Sequence, residues 1–188
     1  MADARFAATS TALAGLAVVR RRRIGDERGF LSRLYCREAL AETGFIDPVA
    51  QINQTVTRNQ GTVRGLHFQQ PPHAEDKLVS CLRGEIFDVA VDLRAGSPTF
   101  LQWHAERLSD RNDLSLLIPK GFAHGFQTMT DDCELIYLHS AAYAPDAEGG
   151  LNPLDPGLAI DWPLAVSDMS PRDRGHPLVQ DGFAGIVL

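Results

Sequence analysis

The sequence predicts an all-β fold, a sandwich or a barrel, from two observations. Short apolar or alternating runs recur along the chain, and Gly or Pro interrupts them at intervals of about eight to twelve residues, as in such folds. Helix formers gather in Arg37–Thr43, where the following Gly44 should end one short helix. A chain of 188 residues suits one domain with a substantial core. We therefore expect residues 1–188 to form a single all-β domain with a few short helices.

The predicted strands follow in chain order. We expect an opening strand at Leu13–Val19 and, after a turn marked by Asp26 and Gly29, a second strand at Phe30–Cys36. The other expected strands are Val49–Arg58, the segment around His67, Lys77–Leu82, Glu85–Arg94, Thr99–Leu108, Leu114–Ile118, Phe122–Met129 and Cys133–Ser140. From about residue 145 the chain is rich in Pro and Gly with little periodicity, so this tail should consist of loops wrapped over the body.

Composition and charge argue against several classes of function. A formal charge of -6 disfavours a nucleic-acid surface. No window reaches the ~20 apolar residues of a membrane span, and the apolar segment Ala12–Val19 precedes its arginines, the reverse of a secretory signal. Cys36, Cys81 and Cys133 are far apart, which fits free thiols in a reducing compartment. We therefore expect a cytoplasmic protein with no nucleic-acid or membrane partner.

Three chemically active side chains, Arg64, His67 and Lys77, gather in the strand-rich segment Gly61–Arg94. On a strand, His67 should point to the face opposite its two apolar neighbours. If the Pro-Pro turn that follows folds the chain back, Lys77 returns to the neighbourhood of His67. Each residue taken alone is more often structural, a hydrogen-bonded histidine or a solvated cation. Their joint occurrence with the motifs below favours a functional site.

A second motif is typical of a cupin barrel. Pro119–His124 has the P-x-G-x-x-H form of the second cupin motif, which invites a metal site. The first cupin motif supplies H-x-H, whereas the sequence at His67 is HFQ. The remaining candidate ligands, His67 and His124 with His73 and Glu75, have a spacing unsuited to a metal. We therefore expect no metal.

Motifs along most of residues 14 to 175 carry a family resemblance. They are DERGF at Asp26–Phe30, Gln51 with Asn53, RGLHFQ at Arg64–Gln69, Lys77, GEIFDVAVDLR, GSPTF, IPKGFAHGFQT, Tyr137 with Tyr143, and the DP-x-L-x-I-x-WP segment that ends at Pro163. In these motifs the sequence resembles the dTDP-4-dehydrorhamnose 3,5-epimerase family. The resemblance implies a cupin-like jelly roll without cofactor or metal, which acts on a nucleotide-linked 4-keto-6-deoxyhexose. It also implies a homodimer, and we expect the apolar segment Leu13–Val19 to pair across the twofold axis.

The resemblance further implies roles for single residues. The catalytic positions are matched by His67 as base, Asp173 as its carboxylate partner, Lys77 as the cation near the keto oxygen and Tyr137 as acid. The positions that match sugar, diphosphate or nucleotide contacts are Arg28, Gln51, Asn53, Arg64, His124 and Tyr143. Asp168, in the same weakly patterned tail, is the alternative carboxylate. Leu138 stands where many members have Lys, and the loop Gln54–Thr62 is one residue longer than usual, which leaves the nucleotide and the exact sugar open.

The chemistry independently requires these residue types. A C–H beside a ketone is acidic because its anion spreads onto the carbonyl oxygen, so the site needs a base for carbon and a cation for the enolate. His67 and Lys77 are of these types, and a carboxylate behind the imidazole fixes its tautomer. Tyr137 can donate a proton to the opposite ring face, although a tyrosine at such a position is as often a core aromatic.

The leading hypothesis is an epimerase of deoxysugar biosynthesis that inverts C3, C5 or both in a dTDP-4-keto-6-deoxyhexose. A single-centre epimerase or isomerase on another nucleotide sugar is the enzymatic alternative. Two further classes are a non-catalytic cupin that binds a sugar nucleotide and a metal-dependent cupin oxygenase.

Overall fold

The structure is a computed structural model that describes residues 5–179 and 183–188. Its strands are β1 Phe6–Ser10, β2 Ala17–Arg21, β3 Arg23–Asp26, β4 Gly29–Ser32, β5 Gln51–Thr57, β6 Thr62–Gln69, β7 Lys77–Arg83, β8 Glu85–Asp92, β9 Trp103–Ser109, β10 Leu114–Ile118, β11 Phe122–Thr128, β12 Cys133–His139, β13 Glu148–Gly150 and β14 Asp168–Met169. The helices are α1 Arg37–Ala41, α2 Pro171–Arg174 and a 3₁₀ turn at Pro145–Ala147. Strands thus dominate the described residues, and the all-β prediction is confirmed.

Two sheets face each other. The first has the strand order β1-β2-β10-β7-β12-β5, and the second has the order β13-β6-β11-β8-β9 with the short β14 paired to β6. The hairpin β3–β4 stands apart as a two-stranded sheet. Sequence neighbours β6 and β7 lie in different sheets, so the chain crosses from one sheet to the other between His67 and Lys77.

Apolar side chains fill one part of the space between the sheets and cover both outer faces. The inner cluster includes Val79, Ile86, Ala90, Leu108, Leu116, Ile118, Phe126 and Leu135, contributed by both sheets. On the outer face of the first sheet, Leu40 of α1 packs with Leu117 and Leu138. On the outer face of the second sheet, the tail residue Leu151 packs with Leu66. Full burial of one such side chain contributes about 1.5–3 kcal/mol.

Most predicted elements are confirmed. The short helix begins at Arg37 and the chain turns at Gly44, whose φ is +107°. Asp26 and Gly29 pair across the β3–β4 hairpin, as their turn signal indicates. The strand predicted at Leu114–Ile118 is β10 with the same bounds.

The predicted opening strand at Leu13–Val19 is wrong in its position. Residues 12–15 form a bend and a turn, and the strand begins at Ala17. The Thr11 hydroxyl closes this turn, because it accepts a hydrogen bond from the Leu13 N–H and donates one to the Leu16 carbonyl. The apolar run that suggested a strand is explained by Leu13 and Leu16, which are buried in the inner cluster.

This segment is also not the unpaired apolar edge that we expected at a dimer interface. Strand β2 lies between β1 and β10, so both of its edges are paired within the chain. Strand β1 was not predicted, because four of its five residues are exposed and show no apolar alternation.

Two other strands are shorter than predicted. The strand expected at Phe30–Cys36 ends at Ser32. The strand expected at Thr99–Leu108 begins at Trp103, because the Asp92 carboxylate accepts hydrogen bonds from the hydroxyls of Ser97 and Thr99 and holds residues 97–101 in turns.

Candidate active site

A polar cavity of about 240 Å³ opens between the two sheets. Strands β5, β7 and β12 line it from the first sheet, and β6 and β11 line it from the second. Its lining residues are Asn53, Thr55, Arg64, His67, Phe68, Gln69, Glu75, Lys77, His124, Phe126, Tyr137, His139, Tyr143, Glu148 and Arg172. Alternation places these side chains inward from strands whose other faces pack in the apolar clusters. Seven of the ten residues singled out in the sequence therefore meet in one cavity.

His67 forms a dyad with Asp173. Its Nε2 lies 2.8 Å from Oδ1 of Asp173, and the other carboxylate oxygen accepts the N–H of Gly65 at 3.2 Å. Burial opposes ionisation of Asp173, but the hydrogen bonds from His67 and Gly65 and the charge of His67 outweigh it and lower the pKa of Asp173 to about 2. This carboxylate therefore stays ionised and fixes the imidazole with its Nδ1 free for chemistry in the cavity.

Helix α2 positions this carboxylate. Ser170 caps the helix, because its hydroxyl accepts the N–H of Asp173 at 3.0 Å, and the Asp173 side chain is only 4% exposed. The alternative carboxylate, Asp168, is exposed on β14, where it accepts the N–H of Met169. The structure therefore brings Asp173 to His67.

Lys77 lies beside His67, as expected, although β6 and β7 do not form a hairpin. Its Nζ is 3.4 Å from the carbonyl oxygen of His67 and 3.3 Å from Oε1 of Glu75. The second Glu75 oxygen lies 2.8 Å from Nδ1 of His139. One buried carboxylate thus holds both the Lys77 ammonium and the His139 imidazole on the wall formed by the first sheet.

Tyr137 faces the cavity from β12, on the sheet opposite His67. Its ring contacts those of His124 and His139, each with centroids 5.9 Å apart. Burial raises the pKa of the Tyr137 phenol above its usual range. The phenol therefore keeps its proton at neutral pH and can donate it.

The wall formed by the second sheet carries a second histidine–carboxylate pair. His124 pairs with His67 across β6 and β11, and its Nε2 lies 2.7 Å from Oδ1 of Asp88. Both members are buried, with residue exposures of 5% and 0%. Arg64 lines the same wall and donates to the Thr57 hydroxyl at 3.2 Å.

The predicted binding residues of β5 and of the loop after β12 meet at one rim of the cavity. Gln51 donates to the Asn53 side chain at 3.0 Å and accepts the N–H of Tyr143 at 2.9 Å. The Tyr143 hydroxyl donates to Glu148 at 2.8 Å. These contacts form a hydrogen-bonded polar rim.

Arg28 is not brought to this cavity within one chain. It lies in the turn of the β3–β4 hairpin, where it pairs with Asp26 at 2.6 Å and its side chain is 85% exposed. Its role in binding stays a prediction.

The metal ligands considered from the sequence do not converge. His73 is exposed and lies outside the cavity lining, while Glu75 is bonded to Lys77 and His139. His124 is bonded to Asp88.

Sequence reasoning missed Asp88, His139, Glu148 and Arg172. His139 lies two residues after Tyr137 on the same strand face, so the alternation of β12 contained a signal for it. Asp88 stands out as a charge inside an apolar strand, which is costly to bury without a partner. Glu148 and Arg172 lie in the tail, whose lack of periodicity gave no signal.

Leu138, the departure from the family pattern, points away from the site. It is buried under α1 and packs with Leu78 and Leu117. Its difference from Lys therefore does not alter the cavity wall directly. Among the described residues, no helix has the length and apolarity needed to cross a membrane.

Comparison with known proteins supports the family resemblance along nearly the whole chain. A sequence model of the family described as dTDP-4-dehydrorhamnose 3,5-epimerase matches residues 10–181. The dTDP-4-dehydrorhamnose 3,5-epimerase of Sinorhizobium fredii is 40% identical over 173 residues, covering 89% of this chain and 87% of the relative. The dTDP-4-dehydrorhamnose 3-epimerase of Streptomyces niveus is 42% identical over 157 residues, covering 83% of this chain and 75% of the relative.

The fold is likewise that of a solved enzyme. The structure is similar, with a TM-score of 0.90 and 38% identity, to the dTDP-6-deoxy-D-glucose-3,5-epimerase of Legionella pneumophila in complex with dTDP-4-keto-L-rhamnose. The match covers 97% of this chain and 98% of that one. The predicted cupin-like jelly roll is confirmed. The chain therefore belongs to the dTDP-4-dehydrorhamnose 3,5-epimerase family.

Proposed function

We propose that this protein epimerises a dTDP-4-keto-6-deoxyhexose by removing a proton next to the ketone and returning one to the opposite face of the ring. The observation that carries the proposal is the arrangement of three groups around one cavity. His67 lies on the second sheet with Asp173 of helix α2 behind it, Tyr137 lies on the facing sheet, and Lys77 lies beside His67. A base, an acid and a cation are what an enolate mechanism requires.

In the first step, Nδ1 of His67 takes the proton from the carbon next to the ketone. Asp173 stabilises the imidazolium that forms, through the bond to Nε2. The electron pair of the broken C–H bond moves onto the keto oxygen, where the Lys77 ammonium stabilises the negative charge. Glu75 and the His67 carbonyl hold that ammonium in place. A preorganised charge at a developing oxyanion is worth about 2.7–4 kcal/mol.

In the second step, the phenol of Tyr137 donates a proton to the same carbon from the other side. The enolate collapses to the ketone with the configuration at that carbon inverted. Solvent then returns the proton to the phenolate, while His67 releases the proton that it took.

The binding residues suit the rest of such a substrate. We propose that the Arg64 guanidinium and His124 contact the anionic diphosphate and the sugar, and that Gln51, Asn53 and Tyr143 form the polar rim toward the nucleotide. Arg28 would join them only after a movement of the hairpin or from a second copy of the chain.

The number of centres inverted is a separate question. The Streptomyces niveus relative is named for inversion at C3 alone, whereas the Sinorhizobium fredii relative is named for C3 and C5. We propose inversion at both positions, with the single-centre enzyme as the alternative. An isomerase on another nucleotide sugar and a non-catalytic cupin are tested by the same experiment.

The test is NMR of dTDP-4-keto-6-deoxyglucose incubated with the protein in D₂O. Deuterium at C3 and C5 together with an inverted product is the expected result. Exchange at one position would establish the single-centre alternative. Binding of the nucleotide sugar without any exchange would overturn the epimerase and leave the binding protein.

We also propose that residues 1–188 act as one domain without a metal or cofactor, and in the cytoplasm. The missing H-x-H pair supports the absence of a metal. The free thiols of Cys36, Cys81 and Cys133 support a cytoplasmic location.

We propose further that the protein is a homodimer that pairs along β5. This strand ends the first sheet, and its Ile52 and Val56 are 56% and 55% exposed, an apolar edge that proteins rarely leave uncovered. Light scattering of the wild type should give twice the chain mass, and Ile52→Glu should shift it toward the monomer. A monomeric wild type at micromolar concentration would overturn this assembly.

A further inference from the structure

A third side chain shares the carboxylate of the catalytic dyad. His176 follows α2, and its Nε2 lies 3.9 Å from the same Asp173 oxygen that contacts His67. One potential ligand atom from each of these three residues lies within 4.8 Å of the others. The His176 Nε2 is buried and has no hydrogen-bond partner among the described residues. A buried imidazole nitrogen without a partner is costly, which points to a ligand at this place.

A cationic side chain already lies next to His67 and Asp173. The guanidinium of Arg172 reaches across this place, with Nη2 3.0 Å from Nε2 of His67 and Nε 3.5 Å from Oδ1 of Asp173. The Arg172 side chain is 56% exposed and is otherwise held by Glu148 at 3.2 Å. It can therefore leave for solvent without unfolding any element of the sheet.

We infer that His67, Asp173 and His176 form a binding site for a divalent transition metal of the zinc class, and that the metal inhibits the enzyme. Two imidazoles and one carboxylate are a typical zinc donor set. Zinc bonds of 2.0–2.1 Å place tetrahedral donors about 3.3 Å apart, between the two distances observed to Asp173. Each Asp173 distance differs from that separation by about half an ångström, and the two imidazole nitrogens, which lie within 4.8 Å of each other, would move together around the ion. Water would take the fourth position, where Arg172 now lies.

The inhibition follows from the two nitrogens of His67. A metal on Nε2 requires that nitrogen to be unprotonated, so the single proton of the neutral ring moves to Nδ1. Nδ1 is the nitrogen that acts as base in the proposed function, and it then has no lone pair for the substrate proton. Metal binding also engages Asp173, which no longer supports the imidazolium. This part of the inference rests on the proposed function, whereas the binding does not.

The experiment measures Zn²⁺ binding by calorimetry in a non-coordinating buffer, without substrate, and Co²⁺ binding by its visible absorption bands. The wild type should bind one ion per chain and give the intense bands of a tetrahedral site. His176→Phe keeps a ring of similar size but no ligand atom, and should weaken Zn²⁺ binding by at least about tenfold. His176→Asn is the second variant if the larger ring disturbs folding. His73→Phe, at an exposed histidine outside the site, is the matched control and should bind as the wild type does.

Arg172→Gln should change the affinity in the opposite direction. Removing the competing guanidinium should tighten Zn²⁺ binding by about two- to fivefold, the range that a partly exposed ion pair represents.

Equal binding by wild type, His176→Phe and His176→Asn would overturn the site. Loss of binding in His73→Phe instead would assign the ion to the surface. Because these readouts need no turnover, they stand or fail independently of the epimerase activity. Zinc inhibition of the wild type that chelator reverses, with a higher inhibitory concentration in His176→Phe, is the expected functional result.

Discussion

Asp173 places its carboxylate 2.8 Å from Nε2 of His67, although the two residues are 106 positions apart in the chain. The contact joins strand β6 of the second sheet to a four-residue helix in the irregular tail. The tail is therefore part of the site. The tail packs on the second sheet through residues such as Leu151 and Leu158, and this packing holds Asp173 next to His67.

The first prediction concerns acid stability. The pKa of Asp173 falls from 3.8 to about 2 on folding, so the folded protein holds this proton less tightly than the unfolded chain does. The resulting stabilisation is complete above the unfolded value and is lost as pH falls through the folded value. We expect the difference in unfolding free energy between wild type and Asp173→Asn to shrink from about pH 6 to about pH 3, measured with urea.

Asp168→Asn is the control for that series, because Asp168 lies in the same tail without a hydrogen bond to His67. A wild-type advantage over Asp173→Asn that stays constant across this range would contradict the charged dyad.

The second prediction concerns Lys77. Lys77→Met keeps the length of the side chain but removes the charge beside the dyad, and we expect kcat to fall by about 10²–10³ because the enolate loses its cation. Lys120→Met is the control, since Lys120 pairs with Asp47 outside the cavity lining. Initial rates at saturating substrate decide the matter, and similar rates for the two variants would return Lys77 to a structural role.

The third prediction concerns the close approach of β6 and β11 beneath the site. A Cβ on Gly65 would lie 2.5 Å from the Cα of Gly125, and Gly65 has a φ of +129°. Gly65→Ala should therefore destabilise the fold by about 2–5 kcal/mol. Gly29→Ala has a similar φ of +132° but open space around the new methyl, so it isolates the backbone cost.

Chemical denaturation of these two glycine variants gives the comparison. Equal losses of stability would show that backbone conformation alone matters at Gly65. A larger loss at Gly65 supports the contact between the two strands.

The sequence predicted most strands whose residues form an apolar run or an alternating pattern of apolar and polar residues. Strand β10 was predicted from a mostly apolar run and the His67 strand from alternation, whereas Asp173 was predicted as the carboxylate partner only through the family resemblance. The failures have local causes. A Thr11 side chain closes a turn inside an apolar run, and Asp92 holds turns where a strand was expected.

The sequence predicted several of the residues that line the cavity, but not the contacts between their side chains. Arg64, His67, Lys77, Tyr137 and His124 line one cavity, as the resemblance implies. Residues that act through a partner, such as Glu75 and Asp88, could not be ranked from the sequence, because their importance depends on which side chain lies within about 3 Å. Arg172 and His176 owe their positions to the path of the tail, which no periodic pattern encodes.

The fourth prediction is that activity survives exhaustive chelation. His73 and Glu75, the ligands that a cupin metal site would need, do not converge with His67, and the proposed chemistry uses only protein groups. Dialysis against EDTA should leave kcat unchanged or raise it if zinc was bound to the dyad. Loss of activity that one added metal restores would contradict this account.

The most direct test of the central claim separates proton removal from inversion in Tyr137→Phe and His67→Ala. With the base, its carboxylate and Lys77 intact, Tyr137→Phe should still incorporate deuterium from D₂O at C3 or C5 while forming little inverted product, since His67 returns a solvent proton to the face it left. His67→Ala should do neither, because no enolate forms. Both quantities are read from one NMR time course at matched enzyme concentration, with folding checked by circular dichroism. Equal loss of exchange and inversion in Tyr137→Phe would remove its role as acid, and inversion at the wild-type rate in His67→Ala would contradict the mechanism as a whole.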